Sequence, residues 1–103
     1  MRPLLAAALL AAAHVASAQE VGDPQAGLAY ALVNCTECHA VEPDDWDSPF
    51  VKAPPFEEVA NTRGVSDVAL LSFFQTSHET MPNFVIAEPD MRDLVAYIRS
   101  LKD

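Results

Sequence analysis

Apolar positions in this chain form one unbroken run near the N-terminus and several periodic blocks after it. Residues 4–13 are all apolar; Met1-Arg2 precedes them and Ala16-Ser17-Ala18 follows. A positive start, a short apolar stretch and a small-x-small site are the order of a secretory signal peptide, and the run is too short to cross a bilayer as a helix. Cleavage is expected after Ala18, leaving one domain over residues 19–103; a buried N-terminal helix is the alternative. Four helical blocks follow. Asp23 suits an N-cap and Pro24 the first helical position, so a helix is expected over residues 24–34. Residues 40–55 hold Pro43, Asp44, Asp45, Asp47, Ser48, Pro49, Pro54 and Pro55, which break any regular pattern and predict a loop. A short helix over residues 56–61 should close at the Arg63-Gly64 turn. Ser66 then caps a third block, residues 67–77, with Val68, Leu71 and Phe74 on one face. The last helix starts near Pro89, with Met91, Leu94, Val95, Ile98 and Leu101 on one face. Asp90 and Asp93 lie in its first turns, and Arg99 and Lys102 near its end, complementing the helix dipole. No segment alternates as a strand would, and the expected fold class is all-α.

Size and charge narrow the possibilities. The 103 residues allow one small domain. Six Lys and Arg stand against 15 Asp and Glu, a formal charge of −9, and loss of Arg2 makes the balance one unit more negative. Such a field disfavours nucleic acid and anionic lipid, and it favours a partner with a basic docking face. No second stretch approaches membrane-spanning length, so no transmembrane anchor is expected after cleavage. The domain should act outside the cytoplasm, in the periplasm of a Gram-negative cell. At this size a hydrophobic core is marginal without a staple. A disulfide between Cys35 and Cys38 would close too small a loop to constrain the unfolded chain much.

Cys35-Thr36-Glu37-Cys38-His39 supplies the missing element. Cys-x-x-Cys-His is the attachment signature of c-type haem. Thiols three residues apart reach the two vinyl-derived carbons on one side of the porphyrin and form thioethers. The histidine that follows then lies beneath the ring, where a ring nitrogen of His39 binds the iron. The competing readings are weaker. A thioredoxin-like dithiol follows a strand and opens a helix, whereas here a helix comes first. A zinc site needs a fourth ligand, and His78 is the sole remaining histidine after the leader. The cofactor expected is one covalent haem c with its iron. For the sixth iron position Met81 leads, because Met81-Pro82 lies in a loop past the third helix. Met91 fits the core face of the last helix, and His78 is the competitor. Thioether ligation favours reduced iron and raises the potential.

Here the chain resembles the class I cytochromes c, in the small bacterial monohaem form. Gly22-Asp23-Pro24-Gln25-Ala26-Gly27, with Cys35 eight residues on, is similar to that family's opening. Ala53-Pro54-Pro55-Phe56 resembles its Gly-Pro-x-Leu segment, Met81-Pro82 its distal methionine loop, and Leu94-Val95-Ala96-Tyr97-Ile98 its terminal helix. The resemblance spans nearly all of residues 19–103. It implies about four short helices wrapped around one covalent haem, with His39 and Met81 as axial ligands. It also implies that the Pro54 carbonyl accepts the ring N–H of His39 and orients it. Two departures stand out. The family often has an aromatic four residues before the first cysteine; this chain has Ala31, with Tyr30 beside it, so Gly27 and Tyr97 are expected to pack differently. The lysine ring of the mitochondrial proteins is missing.

Other residues carry less. Trp46 either donates its indole N–H to a haem propionate or covers the haem edge as a loop aromatic. Arg63 and Lys52 are propionate candidates or plain surface charges, and Phe73, Phe74 and Phe84 suit the apolar wall of a crevice. The function expected is a periplasmic electron carrier that passes single electrons between redox proteins and is not an enzyme. The alternatives are a haem-bearing subunit of a periplasmic dehydrogenase or oxidase, and a ligand-binding sensor or peroxidase with an open iron.

Overall fold

A computed structural model describes residues 22–78, 81 and 85–103. The expected leader, Pro82 and Phe84 lie outside the described residues. Among the described residues there are four helices and no strand: α1 (Pro24–Asn34), α2 (Phe56–Ala60), α3 (Asp67–Phe74) and α4 (Glu88–Ser100). None of them is long and apolar enough to cross a membrane.

Helix α1 begins where its caps dictate. Asp23 is extended, its carboxylate accepts the Gln25 N–H at 3.0 Å, and Pro24 opens the first turn. The Asp23 N–H itself donates to Asp93 Oδ1 at 2.9 Å, which ties the start of α1 to α4. Ser66 caps α3 by accepting the Ala69 N–H at 3.1 Å. Helix α3 ends at Phe74, three residues short of the expected boundary. Its last carbonyls turn to other donors: Gln75 N–H bonds Ser72, Thr76 N–H bonds Phe73, and Thr76 Oγ1 donates to the Ser72 carbonyl at 2.6 Å. Helix α4 starts one residue before Pro89, with Ala87 as an extended N-cap whose side chain makes no capping bond.

The core forms where α4 crosses α1 and receives α2 and α3. Met91, Leu94, Val95, Ile98 and Leu101 are all buried, as the stripe on the last helix predicts. Burying each contributes roughly 1.5–3 kcal/mol. Ala31, Val41, Phe56, Ala60, Leu70 and Tyr97 join Leu94, Val95, Ile98 and Leu101 in one cluster, with Met91 buried apart from it. The α1–α4 approach is close enough to require glycine: a Cβ on Gly27 would lie 2.0 Å from the Asp93 carbonyl oxygen and 2.7 Å from Tyr97 Cβ. Gly27 and Tyr97 therefore meet directly, although no aromatic stands four residues before Cys35.

The face expected for α3 needs correction. Val68 is exposed and Leu70 is the buried residue, with Leu71 and Phe74 half-buried. Apart from Ser72, residues 68–74 are all apolar, so periodicity alone cannot select a face. Packing places Leu70 in the core with Leu71 and Phe74 against it, while Ala69 and Phe73 stay exposed and border a cavity together with Leu70 and Phe74.

Candidate functional site

The cavity holds about 690 Å³ and lies between the end of α1, the 39–54 loop, α2 and α3. Cys35, Cys38, His39, Pro54 and Met81 all line it, as do His78 and Lys52. The rest of the wall is largely apolar, with Phe56, Val59, Leu70, Phe74 and Ile98 prominent.

Each motif residue is held by its local geometry. Helix α1 delivers Cys35 at its C-cap, where the Cys35 N–H bonds the Ala31 carbonyl. The chain then turns tightly, with Cys38 N–H and His39 N–H both bonding the Cys35 carbonyl at 3.3 and 2.9 Å. The two cysteines are half-buried and not bridged to each other. Burial, and then the adjacent Cys38, push the Cys35 thiol up to about 11. A thioredoxin-like dithiol follows a strand, whereas among the described residues α1 leads into Cys35.

His39 Nδ1 lies 2.7 Å from the Pro54 carbonyl oxygen. A carbonyl can only accept, so Nδ1 carries the hydrogen, and in the neutral ring Nε2 keeps its lone pair for a metal. The ring packs at a tilt on Phe56, with centroids 5.2 Å apart. The stretch after the motif is laced in place. Phe50 N–H bonds the Cys38 carbonyl, Ser48 Oγ accepts the Ala40 N–H, and Phe56 N–H bonds the Ala40 carbonyl. The buried Tyr97 hydroxyl, from α4, donates to the Val41 carbonyl. Burial first, then the charges of Glu42 and Glu57, raise the Tyr97 phenol above its ordinary value and keep it a donor.

Beyond the loop, Glu42, Pro43, Asp44 and Asp45 form a turn in which Asp45 N–H bonds the Glu42 carbonyl. Asp44 sits there at a left-handed φ of 63°. Its N–H donates to Oε1 of the buried Glu57 at 2.6 Å.

The remaining sequence candidates separate. Phe73 and Phe74 line the cavity and Lys52 reaches its wall, whereas Trp46 and Arg63 are exposed and off it. Among the described residues, no group of three or more His, Cys, Asp or Glu is placed to hold a metal ion. Sequence reading overlooked Ser48, Phe50 and the Tyr97 hydroxyl, whose roles depend on partners far along the chain. No protein-family model, curated protein or solved structure matches this chain.

Proposed function

We propose that this chain is a small monohaem c-type cytochrome, similar to class I members, that carries single electrons in the periplasm. One observation carries the reading: Cys35, Cys38, His39 and Met81 border the same cavity, with the His39 ring tied to the Pro54 carbonyl. The fit is chemical as well as spatial. The volume lies in the range of cofactor and ligand pockets, and an apolar wall with few polar groups suits a large flat ring. A haem c bonded there would supply a one-electron iron couple, its potential raised by the thioether.

The protein's own groups do the rest. Cys35 and Cys38 would hold the ring through two thioethers, and His39 would offer its Nε2 to the iron. The Pro54 carbonyl fixes the tautomer and plane of that imidazole and increases its basicity. Met81, on the same wall, would offer its thioether to the iron beside His39, which suits transfer of electrons better than binding of a substrate. Phe56, Val59, Leu70, Phe74 and Ile98 keep water from the interior. Lys52 is the cation on the wall able to meet a carboxylate of the ring. The acidic balance of the chain favours redox partners with a basic docking face.

The test is an intact mass of the secreted protein together with the alkaline-pyridine spectrum of its pigment. The expected result is one haem per chain with both thiols consumed. A colourless, folded product with free or bridged thiols refutes the proposal.

A further inference from the structure

The C-terminal end of α3 is closed by an aromatic clasp. The Phe73 carbonyl accepts the Thr76 N–H at 3.1 Å and also lies 2.9 Å from His78 Nε2. The His78 ring stacks on the Phe73 ring, with centroids 3.7 Å apart and 17° between the planes. A carbonyl accepts only, so Nε2 carries the hydrogen of this bond. The nitrogen left over, Nδ1, is flanked by the carbon that joins the ring to the backbone, which makes it the poorer one to offer a bulky metal centre.

His78 and Met81 both border the cavity. Three steps of chain join them, which cannot span more than about 11 Å. A ring fastened to α3 at residue 78 therefore limits how far residue 81 can withdraw from the wall.

We propose that His78 is a positioning residue, not an iron ligand: its bond to the Phe73 carbonyl and its stack on the Phe73 ring hold the chain so that the Met81 thioether stays at the cavity. The proposal rests on the haem reading above. It adds a division of labour between two residues that both border the site. The bond to Phe73 would occupy the better-placed ring nitrogen of His78 and leave the Met81 thioether to the iron.

Titration of the oxidised holoprotein with imidazole tests this, because added imidazole competes with Met81 for iron. Wild type, His78→Ala, His78→Gln and Met81→Ala are compared by the sulfur-to-iron charge-transfer band, well below their melting temperatures. His78→Ala should keep the band but lose it at about tenfold lower imidazole, the equivalent of one hydrogen bond of usual net strength. His78→Gln keeps a side-chain N–H of similar reach and has no ring to bind iron, so it should recover part of that loss. Met81→Ala should lack the band altogether. A purely structural role for His78 would lower melting temperature and leave the imidazole midpoint unmoved, which overturns the proposal. Loss of the low-spin spectrum in His78→Ala, with Met81→Ala unchanged from wild type, makes His78 the ligand and also overturns it. Failure of the haem reading itself is distinguishable, because all four proteins would then be colourless.

Discussion

Replacing Gly27 with Ala loads the α1–α4 crossing with a single methyl group. Two effects oppose each other. Alanine is the better helix former by about 1 kcal/mol, so in a solvent-exposed turn the change would stabilise α1. Here the added carbon would meet the Asp93 carbonyl oxygen at 2.0 Å, the Asp93 carbonyl carbon at 2.6 Å and Tyr97 Cβ at 2.7 Å. Two of these are backbone atoms within α4, which cannot rotate aside as a flexible side chain would. The helices must part, loosening contacts around Ala31, Leu94 and Val95. Overpacking of this kind costs about 3 kcal/mol, and the net loss is about 2 kcal/mol. With a urea slope of about 1–2 kcal/mol per molar for a small domain, the midpoint should fall by roughly 1–2 M. Gly64→Ala makes the control, since Gly64 has a φ of 87° and nothing within 4 Å of an added Cβ. Its cost is backbone strain alone, about 1 kcal/mol. The assay is urea unfolding of the purified proteins followed by far-ultraviolet circular dichroism. An unchanged or higher midpoint for Gly27→Ala would refute the argument, as would a loss no larger than that of Gly64→Ala.

Two further outcomes follow from the loop and from α4. Asp44→Gly should raise stability by about 0.5–1 kcal/mol, because glycine accepts the left-handed φ and the backbone N–H to Glu57 is kept; thermal unfolding reads the change. Tyr97 binds its proton more tightly folded than unfolded, so its contribution is complete below pH 10 and is lost as pH rises through the raised folded value. Tyr97→Phe should therefore flatten the fall in urea midpoint between about pH 9 and 12. Near neutrality it should cost about 1 kcal/mol through the lost bond to Val41. An equally steep alkaline fall in the variant would assign that loss to other groups, Tyr30 among them, which burial also raises.

Legibility in the sequence tracked how local each signal was. Helix α1 follows from Asp23 and Pro24, and the buried stripe of α4 from the spacing of its apolar residues; both are written within a few turns of chain. The buried face of α3 was not legible, since its apolar residues outnumber those that any single face can hide, and packing against the core makes the choice. Cys35, Cys38 and His39 were named from their spacing. Pro54 came only through the family resemblance, because no periodicity links residues 39 and 54. Ser48 and the Tyr97 hydroxyl could not be read from sequence at all. Each completes a hydrogen bond whose partner is known only once the chain has folded back on itself.

The bond from Tyr97 to Val41 joins positions 56 residues apart. A chain that emerges N-terminus first presents both cysteines long before the phenol that secures the stretch behind them. Until that last helix arrives, the thiols sit on a tether with one of its anchors missing. That interval leaves both sulfurs more open than the half-buried thiols of the folded domain, and docking of α4 ends it.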